Sequence, residues 1–385
     1  MARLDEIFDL QMGKTPSRNN ADYWTDGQYD WVSIADLGSY QKYVGDTKER
    51  ISALAVQESG IKSVPANTVI MSFKLLLGKT AITQEPVYTN EAIMAFIPTG
   101  KYAVLPDYFY YLFSAKDWIK GTNRAVMGTT LNKATLGAVF ITVPPIDEQH
   151  KIAAVLDKVS DLIAKRQQQL DKLDEAVKAR FVEIFGEPDE NPKHWQEDEL
   201  SHHLKVIGGY AFKSDGFTDE GIPVLRIGNI NSGHFLPVNM VYWPDDLALA
   251  RYKVFPGDLV MSLTRTVGKD DYGNVCILGA DYDEYYLNQR NAKLSIEKSL
   301  NKCYFSELLK FPRIKKRLTG ISRGIRQANI SNKDILTLRV PMPPIELQEQ
   351  FAAFVEQTEK TKIIISHSLE KLETLKKALM QEYFG

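Results

Sequence analysis

"VPPIDEQHKIAAVLDKV" (143–159) and "MPPIELQEQFAAFVEQT" (342–358) are one phrase written twice in the same chain, 199 residues apart. Slid by 199, residues 144–186 lie on 343–385 without a gap, and 14 of the 43 positions are identical. The identities include Pro144/Pro343, Pro145/Pro344, Gln149/Gln348, Leu170/Leu369, Leu173/Leu372, Phe185/Phe384 and Gly186/Gly385. Self-similarity of this length marks two copies of one structural unit. A weaker echo lies upstream. "VIMSFKLLLGKTAI" (69–82) is similar to "LVMSLTRTVGK" (259–269) at an offset of 190, and "WVSIADL" (31–37) to "VLRIGNI" (224–230) at 193. Such drift is what unequal loop lengths in two copies produce. The chain therefore divides into a variable domain over 1–143, a conserved segment over 144–186, a second variable domain over 187–341 and a second conserved segment over 342–385.

The conserved segments have a helical period. In the first, Ile152, Leu156, Val159, Ile163, Leu170, Leu173 and Val177 fall on a ladder of alternating four- and three-residue steps. The second puts Phe351, Val355, Ile365, Leu369, Leu372 and Leu379 on the same ladder. This is a heptad seam. Where the first copy is polar on the ladder (Arg166, Arg180) the second is apolar (Ile365, Leu379), and Lys362 and Lys376 answer Ile163 and Val177. The exchange suggests two helices that face each other. The proline pairs suit helix starts, where backbone donors are unpaired, and Gly186 and Gly385 suit helix ends. A helix of roughly 40 residues spans about 60 Å, longer than one domain ordinarily uses. The intervening domains read as mostly β, short apolar runs cut by Gly, Pro and Asn, with helices expected over 106–120 and 304–318.

Bulk composition narrows the class. With 385 residues, 44% hydrophobic and 25% charged content, and a net charge of −2, the chain has the composition of a soluble protein of two or three domains. No apolar run approaches the roughly 18 residues that span a bilayer, and "MARLDEIFDL" does not read as a signal peptide. Cys276 and Cys303 are too few for a disulfide framework, so a cytoplasmic setting is expected. Catalytic signatures are missing: no complete phosphate-binding loop, no zinc-ligand spacing and no nucleophile elbow. "GKT" at 13–15 and 78–80 lacks the motif's earlier glycine, and "IGGYAF" (207–212) is a poor dinucleotide match. His202-His203 reads as a surface pair. The pattern is that of a protein that binds. Residues 310–326, "KFPRIKKRLTGISRGIR", hold seven Lys or Arg and no acid. Other basic residues sit among Gly, Thr, Ser and Asn in "GKTPSR" (13–18), "FKLLLGK" (73–79), "LTRTVGK" (263–269) and "LNQRNAK" (287–293), a setting suited to phosphates and base edges.

This order of parts resembles the specificity subunits of type I restriction–modification systems. The resemblance covers the full length and is carried by "VPPIDEQHKIAAVLD", "MPPIELQEQFAAFVE", "GKTPS", "WVSIADL", "VLRIGNI" and "RGIRQANISNKDILTLRVPMPP" (323–344). The counterpart of the last, "MGTTLNKATLGAVFITVPP" (127–145), lacks the paired arginines. The resemblance implies an α+β fold: two homologous, mostly-β or mixed target recognition domains, separated by two long α-helices that form an antiparallel coiled coil with internal pseudo-two-fold symmetry. It implies that each domain reads one half of a bipartite site on double-stranded DNA. Two methyltransferase (modification) subunits that methylate adenine, and restriction (motor and nuclease) subunits, are the implied partners. S-adenosylmethionine, ATP and Mg belong to those partners, with no cofactor or metal on this chain.

For DNA contact the expected residues are Lys14, Thr15, Arg18, Lys74, Lys79 and Arg124 in the first domain. In the second they are Lys213, Arg265, Lys269, Arg290, Arg323 and Arg326, with Gln289, Asn291, Gln327 and Asn329 as base readers and Lys315 and Lys316 on phosphates. The rival is a coiled-coil scaffold whose β domains bind peptide or protein. The acid-free basic run counts against it.

Overall fold

Pro145 and Pro344 each stand immediately before a 40-residue helix, Ile146–Phe185 and Ile345–Phe384. Asp147, Glu148 and Glu346 occupy the first turns, beside the positive end of each helix dipole. Past the first helix, Gly186 takes φ 81°, a left-handed conformation that glycine adopts without strain. Lys193 Nζ donates to the carbonyls of Glu183 and Ile184, and the Trp195 indole donates to that of Phe185, so the last carbonyls of the helix are satisfied.

The computed structural model describes residues 1–74, 76–118, 131–230, 233–264, 272–320 and 329–385. They form two units, residues 1–167 with 367–385, and residues 168–366. Each unit joins one variable domain to parts of both long helices.

In the first unit a four-stranded antiparallel sheet runs in the order Phe8–Met12, Ile93–Pro98, Val69–Ser72, Thr80–Ile82. Alternate residues of a strand face opposite sides, and here both sides are covered, so all of Val69–Ser72 is buried. Val69, Met71, Met94 and Phe96 pack with Phe109 and Phe113 of the helix Pro106–Ala115, and with Ile152 and Leu156 of the first long helix. Ile70, Ala81, Ile93 and Ala95 pack on the other side against Val32 and Leu37. A three-stranded sheet places Tyr29–Val32 between Glu49–Ile51, antiparallel, and Tyr88–Thr89, parallel.

The second unit repeats the plan. Its four-stranded sheet runs Leu204–Gly208, Asn291–Ile296, Leu259–Ser262, Val275–Ile277. Its other sheet places Ile222–Leu225 between Val241–Trp243, antiparallel, and Tyr285–Leu287, parallel, with Lys253–Val254 at the edge. The echoes in the sequence are thus echoes of fold. "VIMS" and "LVMS" are inner strands of matching sheets, and "WV" and "VL" end matching strands.

Within each unit the long helices are antiparallel. In the first, Leu379, Met380, Tyr383 and Phe384 from the end of the second helix join the core that holds Ile152 and Leu156 from the start of the first. In the second, Val177, Phe181 and Phe185 pack with Phe351 and Val355. Along the heptad ladder Ile152, Leu156, Val159, Val177, Phe351 and Val355 are buried, and Ile163, Leu170, Leu173, Ile365, Leu369, Leu372 and Leu379 are half-buried.

Three expectations need correction. The deepest residues at the end of the first helix are Phe181 and Phe185, one position beyond the ladder sites Arg180 and Ile184. The stripe turns there from the other helix toward Tyr304 and Phe311 of the variable domain. The helix expected over 304–318 is two, Lys302–Leu308 and Pro312–Thr319. Pro312 disfavours helical backbone at the residue before it, and Phe311 is extended. The helix expected over 106–120 stops at Ala115, after which Trp118 folds back to donate its indole N–H to the Phe113 carbonyl at 2.9 Å.

Gln149 and Gln348 tie the helices to their domains. Both are fully buried. Gln149 Oε1 accepts from Leu105 N at 2.9 Å, and its Nε2 donates to the carbonyls of Ala103 and Pro144. Gln348 Oε1 accepts from Asn301 N at 2.8 Å, and its Nε2 donates to the carbonyls of Pro343 and Ser299.

Candidate nucleic-acid interface

The two domains each carry one tightly braced turn at the end of a strand. In the second unit Asn288–Arg290 links Tyr285–Leu287 to Asn291–Ile296. The Asn288 carbonyl accepts from Asn291 N at 2.9 Å, and its side-chain Oδ1 accepts from Arg290 N at 3.2 Å. Tyr210 N donates to the Leu287 carbonyl, Gln289 N to that of Tyr210, Leu263 N to that of Arg290 and Gly209 N to that of Asn291. The first unit has five of these six bonds at residues 90–92; the Lys14 carbonyl, where that of Tyr210 takes Gln289 N, accepts from the Trp31 indole instead. Ile93 N donates to the Asn90 carbonyl at 3.0 Å and Ala92 N to Asn90 Oδ1 at 2.8 Å. Lys14 N donates to the Thr89 carbonyl, Phe73 N to that of Ala92 and Gly13 N to that of Ile93.

Glycine is required where the chain passes the turn. A Cβ at Gly13 would lie 2.3 Å from the carbonyl oxygens of both Thr89 and Asn90. One at Gly209 would lie 2.2 Å from that of Asn288 and 2.5 Å from that of Leu287. These glycines stand in "GKT" and "IGGYAF", and their role is close backbone approach, not a phosphate cradle.

The turns present unlike side chains. Glu91 is exposed and Ala92 buried in the first; Gln289 and Arg290 are both exposed in the second. Thr15 donates its hydroxyl to Glu91 and accepts from Asn90 Nδ2 at 3.0 Å. Gln289 and Arg290 make no side-chain hydrogen bond among the described residues. They line a polar cleft of about 430 Å³ with Asn288, Arg226, Asn239 and Phe212. A guanidinium and a primary amide held on a rigid backbone can each form paired hydrogen bonds with a planar partner.

The remaining expected residues are placed as follows. Lys14 is exposed, and its ammonium donates to the Ser59 carbonyl. Arg18 forks onto Glu49 and stacks 3.7 Å over the Trp24 ring. Lys74 is exposed, 5.4 Å from the Phe73 ring centre. Lys79 is half-buried and donates to the Tyr40 carbonyl at 2.5 Å. Lys213 and Lys316 are exposed, whereas Lys315 is half-buried with its ammonium on Asn274 Oδ1. Asn329 is exposed and bridges the backbone at Thr264. Asn291 lies inside, its Nδ2 donating to the Leu225 carbonyl at 2.8 Å. Arg124, Arg265, Lys269, Arg323, Arg326 and Gln327 lie outside the described residues. Within 310–320, Lys310 pairs with Glu307 at 2.6 Å and Arg317 with Glu197 at 3.6 Å. Lys316 and Arg313 remain exposed on Pro312–Thr319, whose other face buries Ile314 and Leu318.

Charge also ties domain to helix at Lys42 and helix to helix at Lys362. Burial opposes the charge of Lys42, yet Asp107, at 2.6 Å, and Asp157 outweigh it and raise its pKa. Lys362 is likewise held charged, against burial, by Asp174 at 2.5 Å and Glu359 at 2.7 Å. Lys376, near the Tyr111 ring, has its pKa lowered by burial. Burial pushes the Cys276 thiol up to about 12, so it is no nucleophile at neutral pH. Among the described residues no group of three or more His, Cys, Asp or Glu side chains is placed to hold a metal ion. No helix among them is long and apolar enough to cross a membrane.

The family model described as "Type I restriction modification DNA specificity domain" matches residues 1–175 and 192–374. The chain belongs to this family. Both matches take in a variable domain and most of the helix that follows it, so the duplicated unit is the family's specificity domain. Among curated relatives, the MjaIX specificity subunit of Methanocaldococcus jannaschii is 28% identical over 66% of this chain and 62% of its own length. The MjaVIII specificity subunit of the same organism is 24% identical over 99% of this chain and 90% of its own length. A solved chain from a type I restriction–modification system superposes with a TM-score of 0.60 at 17% identity, covering 100% of this chain and 96% of that one. The S subunit from M. genitalium gives 0.58 at 14% identity, covering 100% and 95%. At these identities the structural likeness is one of fold.

Arg226, Asn239 and Asn288 of the polar cleft were not legible as site residues. A signal did exist: Gly13 aligns with Gly209, and Asn90 with Asn288, once the drifting offset is followed through the first domain.

Proposed function

We propose that this chain is the DNA-recognition subunit of a type I restriction–modification assembly. Each specificity domain reads one half of a bipartite site on duplex DNA, and the chain directs methyltransferase subunits, and restriction subunits where present, to that site. The observation that carries the reading is the pairing of one fold, and one braced turn, with different exposed side chains in its two copies. Equal scaffolds with unequal tips suit two readers of two different half-sites. The named relatives are specificity subunits, which supports the same reading. Adenine methylation, S-adenosylmethionine, ATP and Mg then belong to partner subunits, the chain itself is non-catalytic, and the assembly works in the cytoplasm. The long helices serve as spacer and docking surface, so that their length sets the gap tolerated between half-sites.

Selection from a random duplex library by the assembled complex tests this. Two short conserved blocks separated by a fixed, unspecified spacer are expected. Enrichment of one contiguous motif, or of no sequence at all, would refute the bipartite reading.

A further inference from the structure

The geometry points to the two braced turns as equivalent base-reading elements, one per half-site: Glu91 in the first domain, and Gln289 with Arg290 in the second. This inference rests on the function proposed above and assigns part of it to named side chains.

Three observations carry it. First, the turns match in their backbone. In each, an asparagine (Asn90 or Asn288) closes the turn with its carbonyl and braces it with its side chain. In each, a glycine strand passes too close for any Cβ, and a neighbouring strand end donates to the turn's last carbonyl. Backbone this constrained fixes the position and Cα–Cβ direction of each tip residue, the starting point for paired hydrogen bonding to a base edge. Secondly, the side chains at the tips are the variable part. Glu91 stands where Gln289 stands, and Ala92 where Arg290 stands. Thirdly, the two groups of the second turn are not used internally. Gln289 and Arg290 make no side-chain bond among the described residues, while Arg18, Lys79 and Lys315 are engaged within the fold. Glu91 accepts from the Thr15 hydroxyl and stays exposed.

The chemistry assigns the bases. The Arg290 guanidinium matches O6 and N7 of guanine, the Gln289 amide matches N6 and N7 of adenine, and the Glu91 carboxylate accepts from the N4 amino group of cytosine. The second half-site therefore contains an A and a G read in the major groove by this turn, and the first contains a C.

The test uses the full chain with its methyltransferase in cells, with modified adenines mapped by sequencing. The double variant Gln289→Glu/Arg290→Ala rebuilds the second turn as the first. It is expected to change one or two positions of the second half-site and leave the first half-site untouched. Gln289→Ala and Arg290→Lys alter no backbone bond of the turn. Each is expected to relax a single position, with roughly ten- to hundredfold loss of discrimination there. An unchanged motif in all three variants would overturn the inference while leaving the bipartite function standing. So would an even loss of methylation at every site by the two single variants, since that is the signature of a structural or phosphate-binding role. A wild-type chain that yields no split motif would instead bring down the functional reading, and this inference with it.

Discussion

The ring of Phe181, near the end of the first long helix, meets that of Phe351, near the start of the second, edge-on at 5.4 Å. Both rings are at most 1% exposed and share their core with Tyr304 and Phe311. The contact therefore joins helix to helix and helix pair to domain at one point. Phe351→Ala is expected to destabilise the second unit by about 3–5 kcal/mol, the usual cost of removing a buried phenyl ring. Phe354→Ala, one turn on and 36% exposed, should cost on the order of 0.5 kcal/mol or less. Urea unfolding of the two variants reads the difference; equal midpoints would contradict the packing described.

Gln149 and Gln348 make the same kind of tie in the two units. Replacing either by Leu keeps much of the volume and strands a part-buried amide N–H, that of Leu105 or of Asn301. The expected cost is about 1–3 kcal/mol per stranded group. Amide exchange at Leu105 should accelerate in Gln149→Leu and that at Asn301 in Gln348→Leu. Unchanged exchange in both would mean that the glutamines do not hold the domains.

Gly13 and Gly209 admit no side chain. Gly13→Ala must push the turn at 90–92 away and is expected to destabilise by about 1–3 kcal/mol. Gly228→Ala is the control, since a Cβ there meets nothing within 4 Å. It should be neutral or slightly stabilising. Thermal melting of both variants measures this, and a Gly13→Ala chain as stable as the control would refute the close approach.

Lys316 is exposed on a helix with no acid of its own, whereas Lys315 is bonded to Asn274. If Lys316 touches phosphate, Lys316→Ala weakens binding evenly across sequences. It also lowers the slope of log affinity against log salt by about 0.9, the value for one lost contact. A change in sequence preference, with the slope unaltered, would contradict that role.

The parts legible in the sequence were those written by period and by duplication. The four-three ladder from Ile152 to Val177 is local, so it needs no tertiary knowledge, and Gln149/Gln348 stood out by recurring at one offset. Phe181 did not recur, and Phe185 recurred without showing what buries it, because both are buried by the domain core at Tyr304 and Phe311, more than 100 residues away in sequence. The basic run over 310–326 was visible as charge. That Lys310 and Arg317 are met by Glu307 and Glu197 was not, because Glu197 arrives from a distant strand. The braced turns were hidden for the same reason: their rigidity comes from Gly13 meeting Thr89 and Tyr210 meeting Leu287, contacts that no local pattern encodes.

The central claim is that two unlike DNA readers share one chain and act on separate half-sites. Exchanging residues 1–143 for the matching domain of a relative, then sequencing the methylated bases in cells that carry the methyltransferase, tests it most directly. The expected result is a split adenine-methylated motif in which one half changes and the other half and the spacer persist. A motif that changes throughout, or does not change at all, would contradict it.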